Sequence, residues 1–134
     1  MTDRATLLSA IKAVEKAKEG TPEINVLIAR ACFPNFILHD DSNIWMQVPS
    51  NMERGYMQVV PMPFYTTSLD AALSLVPEGM CYELDTFPRS KTDTKPIAFV
   101  AKPDDIFTAW SSGATMPLAI CLAALRARLT ILVE

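Results

Sequence analysis

The chain is 134 residues long, close to the commonest size of one domain and too short for two ordinary ones, so a single domain spanning residues 1–134 is expected. Its residues are 50% apolar and 20% charged, which excludes a disordered polar chain and supplies enough apolar surface for a core that needs neither disulfides nor a metal. Twelve Lys and Arg against 15 Asp and Glu leave a net charge of −3, without the basic excess that generic DNA or RNA binding uses.

From Thr2 to Glu19, Leu7, Ala10, Ile11, Val14 and Ala17 recur at helical spacing, with Lys12, Lys16 and Glu19 on the other side; the pattern predicts an amphipathic helix. Gly20 stops it. Thr21 is placed to cap a second helix that opens on Pro22, runs through Ile24, Leu27, Ile28 and Ala31, and ends at Pro34.

Ile44 to Val48 and Tyr56 to Val60 read as two strands of a hairpin, joined by a loop with Pro49, Ser50, Asn51 and Gly55. Pro61 and Pro63 lack backbone donors and halt the second strand. Ser68 is set to cap a short helix whose buried side is read as Leu69, Ala72, Leu73 and Val76, closed by a Pro77-Glu78-Gly79 turn. Alternation from Met80 to Phe87 sets Met80, Tyr82 and Leu84 against Cys81, Glu83 and Asp85, predicting a half-buried strand. Lys95 to Lys102 repeats the alternation with Ile97, Phe99 and Ala101, so the two should form a second antiparallel hairpin of the same sheet, ended by Pro103.

The last element is the clearest. Leu118, Cys121, Leu122, Leu125, Leu129 and Leu132 fall on one stripe at a period of 3.6 residues, giving a helix from Met116 to Leu132. Ile120, Ala123, Ala127 and Ile131 occupy its opposite face, relieved by Arg126, Arg128 and Thr130. A helix apolar nearly all round is buried on two sides, so it should lie between the sheet and either another helix of the chain, the preferred reading, or a second subunit in a homo-oligomer. The elements sum to an α+β fold: a layered helix/β-sheet sandwich with mainly antiparallel hairpins and a largely buried C-terminal helix.

The stretches 65–79, YTTSLDAALSLVPEG, and 114–128, ATMPLAICLAALRAR, resemble the two signature blocks of the phage ABA sandwich domain family. With the strands between them they cover about half the chain. Members of that family tend to carry tryptophans just after the Pro-Glu-Gly turn, where this chain has Met80, Cys81 and Tyr82. The resemblance implies a small phage- or prophage-encoded domain layering helices on a sheet, and it brings no catalytic residues and no assigned activity.

Cys32, Cys81 and Cys121 stand singly, without CxxC or CxxH spacing, so free thiols in a reducing, cytoplasmic compartment are expected and no metal site is read from them. The N-terminus, with Asp3 and Arg4, lacks the apolar core of a signal peptide, and no apolar run reaches membrane-spanning length. The single histidine, His39, precedes Asp40 and Asp41 in a polar stretch. It lacks a nucleophile, adjacent residues point apart, and a solvated loop is the reading adopted. Arg89, Ser90 and Lys91, with Lys95, enclose Asp93 and are read the same way. Neither a Walker-type loop nor GxGxxG occurs among the four glycines. No catalytic set and no cofactor are therefore expected.

Trp110, Ser111, Ser112, Gly113 and Thr115 lead into the last helix. Two readings stay open. Ser and Thr before a helix cap it routinely; alternatively, backbone N–H groups at the helix start hold an anion while Trp110 stacks on a base, making the segment a nucleotide site. The functions that follow are a non-catalytic binder, most concretely a phage protein sequestering a host nucleotide immune signal in anti-defence, or an interaction module that inhibits a host factor or assembles with phage proteins. An unrecognised hydrolase is the remaining class.

Overall fold

A computed structural model describes residues 4–33, 37–38, 43–48, 56–86, 91, 94–103 and 109–133. Four helices and six strands are described: α1 Arg4–Lys16, α2 Pro22–Cys32, β1 Ile37–Leu38, β2 Asn43–Val48, β3 Tyr56–Pro61, α3 Leu69–Leu73, β4 Cys81–Asp85, β5 Ile97–Ala101, β6 Ala109–Ser112 and α4 Met116–Val133. The predicted α+β layering, helix against antiparallel sheet, is present.

Local chemistry explains the helix boundaries. α1 buries Leu7, Ala10, Ile11 and Val14, the predicted stripe. Thr21 accepts the N–H of Ile24 at 3.2 Å and Pro22 opens α2. Ser68 accepts from Ala71 at 3.3 Å to start α3. At the turn after α3, the Met80 N–H bonds the Pro77 carbonyl at 3.1 Å while Gly79 takes φ +84°, the left-handed geometry a type II turn requires at its third residue.

Gly20 abuts the turn before α3. A Cβ there would sit 2.4 Å from the Thr66 carbonyl oxygen, so the α1–α2 connection and this turn approach through glycine alone. Beside it, the buried Asn25 Oδ1 accepts from the Thr66 N–H at 3.0 Å and from its hydroxyl at 2.7 Å, which pins α2 to the same turn.

The strands form two antiparallel sheets, not one: β1-β2-β3 and β4-β5-β6. The 44–60 hairpin is present, with Ile44 opposite Val60 and Val48 opposite Tyr56. It does not share a sheet with β4 and β5 as expected; β5 takes β4 on one side and β6 on the other. β6 is also a correction. Residues 110–112, read only as leading into the last helix, belong to a strand that pairs Trp110 with Phe99 and Ser112 with Ile97.

α4 lies across β5 and β6, with α1 and α3 packed against it and α2 against α1. Every residue from Leu118 to Leu125 is buried. A helix of the same chain, not a subunit, thus covers its second side. The stripe leaves the core at its end, where Ile131 and Leu132 are 42% and 39% exposed.

Three face assignments change. Ala98 and Val100 are the most buried residues of β5, not Phe99 and Ala101, since α4 packs on the Ala98/Val100 side. β4 is an edge strand, so Cys81, Tyr82 and Glu83 are exposed where a half-buried strand was expected. On α3 the buried positions are Ala72 and the following Leu75, while Leu69 at the first turn is exposed.

Candidate functional site

The Trp110–Thr115 segment is built by strand pairing on one side and a helix start on the other. Successive strand residues point to opposite faces, and the burial of β6 obeys this: Ala109 and Ser111 are buried, Trp110 is 55% exposed and Ser112 is half-buried. Trp110 therefore belongs to the face turned away from α4. Phe99, its direct partner on β5, shares that face, and Ser112 lies two residues along the same strand.

Ser111 has a different environment. Its hydroxyl is fully buried, donates to the Trp110 carbonyl at 2.7 Å and accepts from Arg126 Nη1 at 2.9 Å. The same guanidinium bonds the Trp110 carbonyl at 3.2 Å and, through Nη2, Glu15 Oε1 at 3.0 Å. Arg126 so ties β6 to α4 and α1, and holds the backbone that carries Trp110. Ser111 is a buried hydroxyl with both of these partners inside the fold.

Gly113 and Thr115 serve the helix. Gly113 donates to the Pro96 carbonyl at 3.2 Å, and a Cβ on it would lie 2.7 Å from the Ala119 backbone nitrogen. Its bareness is needed by helix packing. Thr115 Oγ1 accepts from Leu118 N–H at 3.4 Å and its carbonyl accepts from Ala119 N–H at 3.0 Å. Pro117, in the first turn, has no N–H. The donors that would attract an anion to this helix start are thereby reduced.

Of the five predicted residues, the fold brings Trp110 and Ser112 together on an accessible sheet face. Ser111, Gly113 and Thr115 are engaged in holding that face to α4. Sequence reading did not connect Phe99 or Arg126 to the segment. Phe99 reaches it only through the β5–β6 register, and Arg126 only through the crossing of α4 over β6. Neither is encoded in local spacing.

His39, Asp40 and Asp41 lie outside the described residues, as do Pro34, Phe87, Arg89, Ser90, Asp93 and the loop with Pro49, Ser50, Asn51 and Gly55. Lys91 is exposed. Among the described residues no group of three or more His, Cys, Asp and Glu is placed to hold a metal ion, and no helix is long and apolar enough to cross a membrane.

All three thiols are free. Cys32 and Cys121 are buried, and burial pushes them up to about 11 and about 12, with Arg128 partly offsetting the rise at Cys32. The Cys121 thiol donates to the Tyr65 carbonyl at 3.0 Å. These are core groups on the α2 and α4 side of the molecule, and Cys81 on β4 is the exposed one.

No family model matches the chain, and neither does any curated protein or solved structure.

Proposed function

We propose that the chain is a non-catalytic binding protein whose ligand carries a planar ring, with Trp110 as the stacking surface. The supporting observation is that Trp110 stands 55% exposed on the open face of an antiparallel sheet, opposite Phe99 and beside Ser112. A large aromatic ring left in water is a poor use of apolar surface unless something covers it, and the face of a base is a fitting cover. Ser112 supplies a hydroxyl for the ring's edge.

In its most concrete form the ligand is a host nucleotide signal and the role is sequestration by a phage-encoded, cytoplasmic protein. The phage setting rests on the resemblance of the 65–79 and 114–128 blocks to the phage ABA sandwich family. The base carries recognition in this reading, because the donors at the start of α4 are partly consumed by Thr115 and missing at Pro117. A second reading, an interaction module acting on a host factor or another phage protein, is favoured by the exposed Ile131 and Leu132 at the end of α4.

The test starts with the purified protein incubated in lysate from defence-activated bacteria, washed and heated, and the released small molecules identified by mass spectrometry. Calorimetric titration of the recovered nucleotide then compares wild type with Trp110→Ala. Loss of the stacking surface should weaken binding by about ten- to a hundredfold, with thermal stability held. Equal affinity for both proteins would remove Trp110 from the function, and an empty released fraction beside a protein caught on pull-down would favour the interaction module.

A further inference from the structure

We infer a second binding site, separate from Trp110, for a small aliphatic carboxylate at the C-terminal end of α4. A recess of about 200 Å³ opens there, lined by Leu7 of α1, Pro77 of the turn after α3, and Arg128, Ile131 and Leu132 of α4. Leu7, Pro77, Ile131 and Leu132 give it hydrocarbon walls, and Arg128 is the one charged residue among the described residues that line it.

That guanidinium is held in place from two directions. Arg128 Nε donates to the Leu75 carbonyl at 3.0 Å, and the guanidinium carbon lies 5.9 Å from the centre of the Phe33 ring. Phe33 in turn stacks on Tyr65, their centroids 6.5 Å apart. With Nε committed, Nη1 and Nη2 have neither a hydrogen bond nor an ion pair to a carboxylate among the described residues, unlike those of Arg126, which meet Ser111, the Trp110 carbonyl and Glu15.

A fixed, half-buried arginine whose Nη1 and Nη2 meet no partner among the described residues, set beside an apolar recess, presents the two features an aliphatic acid needs: donors for both carboxylate oxygens and hydrocarbon walls for the tail. The exposure of Ile131 and Leu132 at the rim agrees, since a bound tail would cover both. The recess is smaller than the pockets that enclose drug-sized ligands, which selects a short tail rather than a long lipid. A phosphate or a sugar would gain from the guanidinium but would waste the walls.

Octanoate is the probe, followed by amide chemical-shift titration of the whole chain. Shifts should gather on Leu7, Arg128, Ile131 and Leu132 and saturate, and octanol, with the same tail and no charge, should bind at least about tenfold more weakly. Arg128→Gln should abolish the preference for the acid. Because that change also removes the bond to Leu75, Ile131→Trp provides a second arm: it fills the recess from the exposed side, keeps Arg128, and should eliminate octanoate binding with the fold intact. Equal binding of octanoate and octanol, unchanged binding in Ile131→Trp, or the absence of saturable shifts at these residues would each overturn the site. A peptide ending in Leu-Leu with a free carboxylate, bound about tenfold more tightly than octanoate, would overturn a small acid as the occupant.

Discussion

At Gly113 a single hydrogen in place of a side chain decides whether β6 can turn into α4. The nearest atoms to an added Cβ are backbone, the Ala119 nitrogen at 2.7 Å and Cα at 3.1 Å, and backbone in the first turn of a buried helix has nowhere to retreat. Gly113→Ala should therefore lower stability by about 1–3 kcal/mol, read as a shift of the urea midpoint at unchanged slope. If Gly113 served a ligand instead, stability would hold and only affinity would fall. The thiols make a parallel contrast. Cys81 on the exposed edge strand should react with a maleimide promptly in the native protein, while Cys32 and Cys121, shielded and held neutral by burial, should stay unlabelled until the chain is unfolded. Mass spectrometry of the labelled peptides checks this, and prompt native labelling of Cys121 would put α4 elsewhere.

α4 is the element on which the layers meet. Its central residues are buried on every side because β5 and β6 take one face and α1 and α3 take the other. Leu125, fully buried in this layer, should cost about 2–5 kcal/mol when cut to alanine, through lost transfer energy and the cavity left behind. Chemical denaturation of Leu125→Ala gives the number, and a change below about 1 kcal/mol would mean the site collapses or is not core. Arg126 behaves differently. Its ion pair with Glu15 is roughly 40% exposed on both sides, at 41% and 43%, so its weight lies in the Ser111 and Trp110 bonds and little in the pair itself.

Across the whole molecule, burial of ionisable thiols and a phenol gives stability an alkaline limit. Cys32 and Cys121 are raised from 9.0 to about 11 and about 12, and burial shifts Tyr65 upward as well. A group whose folded pKa exceeds its unfolded value stabilises the fold fully below the unfolded pKa. As pH climbs past 9.0 the unfolded chain releases its protons first, and that stability is lost progressively toward about 11 to 12. Urea midpoints should be flat from neutral pH to about 9 and fall beyond it, with a shallower fall in Cys121→Ala. A fall that starts well below pH 9 would point to other groups.

What was legible in the residues were the features carried by local spacing: the α1 stripe from Leu7 to Val14, the Thr21 and Ser68 caps, the Pro77–Gly79 turn, the 44–60 hairpin and the apolar girth of α4. The stripe, the caps and the turn are each decided within about four residues of chain, where periodicity and capping act, and the hairpin is signalled by apolar alternation on either side of a turn-rich stretch. The tertiary structure alone decided which face of β5 meets α4, that β4 is an exposed edge, that residues 109–112 are a strand, and that Ser111 is consumed by Arg126 while Trp110 is left facing out. These depend on partners distant in the chain. An alternating strand presents two chemically similar faces, Ala98 and Val100 against Ile97, Phe99 and Ala101, and only the arrival of α4 on one of them determines which is packed most deeply.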